Sequence, residues 1–216
     1  MSRRTVSWLA WSLCVLSLAL TTLGILFLAL SVSHPGVPIF DQWLENAVVG
    51  VGFSAVGAVI TPRLPPKNPI GWFFCTIGVV GGARLFSAQY ATFSLFAEHG
   101  SLLGGEVLSW IASWMWVLHV GLFVFLALLF PDGRLASSRW RPFALFAATV
   151  VVLGILAAAF SPGPIRGLEP LDNPLGIEGA PNIVVAVQVL IFGLGLGAAA
   201  SMFARLRRTR GVERQQ

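Results

Sequence analysis

Charge is scarce in this sequence. Only 11% of its 216 residues are charged, against about a quarter in a soluble domain. A water-soluble globule of this size cannot cover itself with so little charge, which excludes an ordinary cytoplasmic enzyme. Disorder is excluded as well, because it needs low hydrophobicity together with high charge. Cysteine is nearly absent. Cys14 and Cys75 both fall inside apolar runs, and neither lies in a CxxC or metal-ligand spacing. They read as reduced, buried, small apolar side chains. The motifs of soluble enzymes are missing too: the chain has no GxxxxGK, no HExxH and no GxSxG. His34, His99 and His119 stand on separate elements and make no metal site, so no cofactor is expected.

What is abundant is apolar surface: 56% of residues are hydrophobic and the mean hydropathy is +0.82. A spanning helix needs about 20 apolar residues. Six runs qualify, at 6–32, 43–60, 70–96, 102–130, 140–160 and 182–204. The expected fold is therefore all-α and polytopic, with six transmembrane helices and no room for a separate soluble domain. His34-Pro35-Gly36, the prolines at 62, 65, 66 and 69, Pro131-Asp132-Gly133 and Pro162-Gly163-Pro164 mark the ends of runs. The first run exceeds the apolar core of about 7–15 residues in a signal peptide, and reads as a retained span.

Charge placement sets the expected orientation. With the N-terminus in the cytoplasm, the inner segments hold Arg3, Arg4, Arg63, Lys67, Arg134, Arg139, Arg141, Arg205, Arg207, Arg208, Arg210 and Arg214, 12 of the 14 basic residues. The outer loops hold Arg166 alone, and Arg84 lies within the third run. Asp41, Glu45, Glu98, Glu106, Glu169, Asp172 and Glu178 fall on the outer side. The positive-inside rule thus places both termini in the cytoplasm. The net charge of +5 follows from it, with anionic lipid headgroups rather than nucleic acid as the partner of the inner loops.

Arg84 is the sharpest anomaly. It lies fourteen residues after Ile70, about 21 Å along the helix. A charge at that depth is costly and points to function by default. Gln89 and Tyr90 follow on the same run, Glu106 opens the fourth, and Gln188 lies in the sixth. A pair between Arg84 and Glu106 would neutralise both and tie two helices. Trp110, Trp114 and Trp116 cluster in the fourth run, and Trp110 and Trp114 share a face at i, i+4. Arg84, Gln89, Tyr90, Glu106, Gln188 and these tryptophans form either an outward-open polar pocket for a small ligand, or a snorkelling or structurally paired arginine beside an interfacial aromatic belt. His119 reads as a packed histidine with a hydrogen-bond partner, with haem ligation or proton relay as the alternative. Gly78 with Gly82, and Gly193 with Gly197, form small-residue faces expected to contact neighbours within the bundle. The loop 161–181 carries five prolines and either caps a ligand site or is a solvated connector.

The loops carry recognisable wording. Pro66-Lys67-Asn68-Pro69-Ile70-Gly71-Trp72 opens the third run. Phe130-Pro131-Asp132-Gly133-Arg134-Leu135, then Arg139-Trp140-Arg141-Pro142, joins the fourth to the fifth. Asn173-Pro174-Leu175-Gly176-Ile177-Glu178 lies in the last outer loop, and Arg207-Arg208-Thr209-Arg210-Gly211-Val212-Glu213-Arg214-Gln215-Gln216 closes the chain. Over nearly its whole length the chain resembles the N-terminal membrane region of a group of bacterial sensor histidine kinases. The resemblance implies a sensory module of the bacterial inner membrane, working with a cytoplasmic kinase or response-regulator partner and open to homodimerisation. It carries over no kinase site, because the phosphoacceptor and ATP-binding motifs are not in this sequence. Both a front part of a longer kinase and a stand-alone relative fit the closing motif. Asn68, Pro69, Gly71, Trp72, Pro131, Asp132, Gly133, Arg134, Arg139 and Arg141 are the candidate signal-transmitting positions. Asp132-Gly133 reads as a tight turn after a helix-stopping proline. A small transporter or channel is the rival reading.

Overall fold

The structure, a computed structural model, describes residues 2–34, 36–37, 39–98, 102–165, 171–179 and 184–213. His99, Arg166, Glu169, the loop prolines 170 and 181, the expected start of the sixth span at Asn182, and Arg214 to Gln216 lie outside the described residues. So do the side chains of Arg205, Arg207, Arg208 and Arg210.

Six helices are long and apolar enough to cross a membrane, and the chain is an all-α, multi-pass membrane protein. They are α1 (Arg3–Val32), α2 (Trp43–Ile60), α3 (Ile70–Thr92), α4 (Gly105–Leu129), α5 (Arg141–Phe160) and α6 (Val184–Glu213). A π-turn, Phe93–Ala97, extends α3, and a 3-10 turn, Ser138–Trp140, leads into α5. Arg63, Lys67, Arg134 and Arg139 lie in the two short loops at one end of the bundle, the basic end.

Three boundaries differ from expectation for local reasons. The first helix begins at Arg3 because Ser2 caps it, its hydroxyl accepting from the Thr5 amide at 3.2 Å. The fourth begins at Gly105 rather than 102, because Gly104 adopts φ 85° and breaks the helical path. The sixth does not stop at 204: residues 205–213, expected as a tail, continue it, since arginine and leucine are good helix formers and no proline intervenes.

The helices form two groups of three. In one, α3 packs on both α1 and α2; in the other, α4, α5 and α6 pack on each other; α3 against α4 joins the halves. The central place of α3 follows from composition. Its best 18-residue window has a mean hydropathy of 1.4 and is 61% buried, against 2.5 and 22% for α1. A helix facing protein on most sides needs small residues for close approach, whereas a lipid-facing one needs greasy bulk. Gly78 of α3 lies against Ser54 of α2, Gly82 against Ser17 and Thr21 of α1, and Gly57 of α2 against Cys75. The Ser17 hydroxyl donates to the Gly50 carbonyl at 2.8 Å. Cys14 and Cys75 are free and buried, as the sequence implies.

The second half is built on Val117, Val124 and Leu128 of α4, Ala147 and Val150 of α5, and Ile191 and Leu194 of α6. Gly154 fits between Val117 and Val187, and Gly197 lies under Phe143. Gly193, paired with Gly197 in the sequence reading, has nothing within 4 Å of where a Cβ would stand, so that face is only half used.

The segment after α5 is not simply a solvated connector. Ile165 is 3% exposed and joins Phe40, Leu85, Ala88 and Ala112 in a cluster in the half of the bundle away from the basic loops. The Asn173 side-chain amide donates to the carbonyls of Ala159 at 3.0 Å and Ser161 at 2.9 Å, satisfying the open end of α5.

Candidate functional site

Arg84 sits midway along α3 and is 6% exposed. Burial of a cation requires partners. Its guanidinium donates to the side-chain amide oxygens of Gln42 at 2.5 Å and Asn46 at 3.4 Å, and lies 5.1 Å from the centre of the Phe40 ring. These partners come from the turn before α2 and its first turn. The expected Arg84–Glu106 pair does not form. Glu106 stands exposed in the first turn of α4, near the far end of the bundle, whereas α2 starts level with Arg84 and offers amides there.

Beside Arg84 lies a cavity of about 260 Å³. Gln42, Glu45 and Arg84 line it from the first half of the bundle, and Trp116, His119, Val120, Phe123 and Gln188 from the second. It occupies the junction of the halves. No described Cα of α2 comes within 8 Å of one in α4 or α6, so the gap is spanned by side chains. On the side of the basic end, Phe53 of α2 meets Phe123 of α4 edge to face, with centroids 5.1 Å apart. On the other side stands the Phe40 cluster, against which Trp43 and Leu171 also pack.

His119 is 3% exposed and its ring lies 5.2 Å from Phe123. The expected hydrogen-bond partner is not found: Nε2 has none among the described residues. Among the described residues, no group of three metal-ligating side chains is close enough to hold an ion.

Of the sequence-predicted pocket, Arg84, Trp116 and Gln188 line this cavity and the others do not. Five residues separate Arg84 from Gln89, which turns Gln89 about 140° around the helix. Gln89 is fully buried, and neither end of its amide has a partner among the described residues. Tyr90 faces α1, its ring 5.1 Å from Phe27, and its hydroxyl donates to the Leu103 carbonyl at 2.7 Å. Trp110 and Trp114 do share a face, with centroids 5.9 Å apart. Trp110 donates to the Ala159 carbonyl at 2.8 Å, tying α4 to α5. The tryptophan at the cavity is Trp116. The missed signal was the spacing 116, 119, 120 and 123, one helical face carrying Trp, His and Phe. Likewise Gln42, at the N-cap of α2, and Glu45 and Asn46 in its first turn fall on one side at i, i+3, i+4.

The two candidate signalling loops meet at the basic end. The Asn68 side-chain amide donates to the Pro131 carbonyl at 3.2 Å, while its oxygen accepts from the Ile70 amide at 3.0 Å at the start of α3. Gly133 takes φ 72°, closing the expected tight turn, and its amide donates to the Leu129 carbonyl at 2.8 Å. A Cβ there would run into the Pro69 ring. Gly71 is pressed against Thr61, and Trp72 is half-buried. Asp132, Arg134, Arg139 and Arg141 are exposed. Gly133→Ala meets both a positive φ and a steric block, so a loss of about 1–3 kcal/mol is expected, read as a lower denaturation midpoint in detergent.

No protein-family model, curated protein or solved structure matches the chain.

Proposed function

We propose that this protein is a membrane-embedded sensory module, in keeping with its resemblance to the input region of bacterial sensor histidine kinases. The observation that carries the reading is the polar cavity between two three-helix halves in a chain with so little charge. Intramembrane polar groups are expensive, and their convergence on one cavity favours a binding role. Its walls belong to both halves, so an occupant touches both. An occupant that binds one spacing of the halves better than another shifts the population toward it. The α6 helix continues past the apolar stretch into the basic segment and would carry the shift into the cytoplasm, to a kinase or response-regulator partner. In this reading the basic end faces the cytoplasm of a bacterial inner membrane.

Spin labels at Val48→Cys on α2 and Val189→Cys on α6, both exposed positions, report the spacing of the halves in nanodiscs. Two distances, with populations that change with the lipid extract supplied, are expected. One distance in every extract would sink the sensing reading. A cleft between two helical halves is also what a small carrier presents. Solute flux into proteoliposomes would favour that reading. Reporter fusions active on the cytoplasmic side at both ends are expected for the orientation.

A further inference from the structure

The side chains around the cavity narrow the chemistry of its occupant. His119 Nε2, the half-buried Gln188 amide and the exposed Glu45 carboxylate line it from three helices, and the buried His119 Nε2 has no hydrogen-bond partner among the described residues. A nine-tenths-buried nitrogen without a partner calls for a ligand atom or water. Arg84, which is buried, and Glu45, which is exposed, bring opposite charges to the lining, so the site as a whole is neutral and suits a ligand without net charge. Trp116 and Phe123 supply flat apolar wall. The volume of about 260 Å³ exceeds the roughly 150 Å³ of an apolar cavity that holds benzene, and suits one substituted ring. Exposed apolar residues flank the cavity. Val120 lines the cavity at 37% exposure, and the helices on either side expose Val48, Val189 and Phe192.

We infer that the cavity takes the ring of a lipid-soluble quinone or quinol, its ring oxygens meeting His119 and Gln188 and its tail leaving between α2 and α6. A neutral flat ring with polar atoms on opposite edges answers the polar groups of α4 and α6 together, without adding charge. The inference rests on the sensory reading and names its ligand class.

The test uses the whole chain in nanodiscs, with a thiol placed by Val120→Cys. Both native cysteines are buried, so N-ethylmaleimide reports on position 120. Decylubiquinone is expected to slow alkylation at least tenfold and saturably. The same probe should leave Leu145→Cys, exposed on α5, unchanged. Adding Gln188→Leu should abolish the protection at position 120. Adding His119→Phe should do the same, and Gln188→Leu, at a half-buried position, keeps the test valid where the histidine variant fails to fold. Equal slowing at positions 120 and 145 would reveal mere partitioning into the bilayer and overturn the inference. Protection by dodecanoate but not by decylubiquinone would overturn it in favour of an anionic amphiphile. No protection by either would leave a water-filled structural cleft and overturn it too. The spin-label distances separate the two proposals: spacing that shifts with lipid extract but not with decylubiquinone would preserve sensing and reject the quinone.

Discussion

Replacing both Gln42 and Asn46 by leucine is expected to destabilise the protein by about 3–5 kcal/mol, measured by titration of detergent-solubilised protein with sodium dodecyl sulfate. Both substitutions remove acceptors from a guanidinium that is only 6% exposed. Hydrogen bonds to a charged group contribute about 1.5–3 kcal/mol each, and here the charge stays behind. Arg84→Met in the native background is expected to be milder, at about 1–3 kcal/mol, because it strands neutral amides rather than an ion. The triple variant should recover much of what the double loses. A triple variant no more stable than the double would show that Arg84 does not depend on these amides. Charge exchange is a sharper check on the alternative. Arg84→Glu with Glu106→Arg should be no better than Arg84→Glu alone, since Glu106 is exposed in the first turn of α4.

The second large effect lies at the contact between α2 and α3. A Cβ at Gly78 would stand 2.5 Å from the Ser54 amide nitrogen and 2.8 Å from its Cα. Those are backbone atoms and cannot rotate away. Gly78→Leu must therefore push α2 off α3, and with it the turn that carries Gln42 toward Arg84. A loss on the order of 3 kcal/mol is expected, together with a changed spin-label distance between α2 and α6. Gly193→Leu on α6 is the matched control. Nothing lies within 4 Å of its Cβ position, so its effect should stay within about 0.5 kcal/mol. Equal losses at the two sites would mean that helix propensity, not interhelical contact, sets the cost.

The spans were legible in the sequence because the property that defines them is local. An apolar run either reaches across about 30 Å of hydrocarbon or does not, whatever its neighbours are. The boundaries that slipped, at Arg3, Gly104 and residues 205–213, did so through a cap, one glycine dihedral and helix propensity. Each of these acts within a turn of helix. Arg84 was legible as an anomaly for the same reason, since depth follows from counting residues along one helix. The turn at Asp132-Gly133 was legible as local turn chemistry.

What surrounds Arg84 was not legible. Its partner Gln42 lies 42 residues away, in the turn before a helix that starts midway along α3. Nothing local states that offset, and the Arg84–Glu106 pairing failed because it assumed that the acid nearest in estimated depth was also nearest in space. Which of the three clustered tryptophans meets the cavity was not legible either: the spacing within α4 groups Trp116 with His119, and only packing shows that this face meets α3 and α6. The sequence by itself determined six spans and one costly buried charge, because transfer from water to hydrocarbon acts residue by residue. The tertiary structure alone decided the two three-helix halves, the amides that hold Arg84, the cavity at their junction and the meeting of Asn68 with Pro131. Those depend on which small residues let which helices approach, and side-chain fit between distant segments has no local signature in the chain.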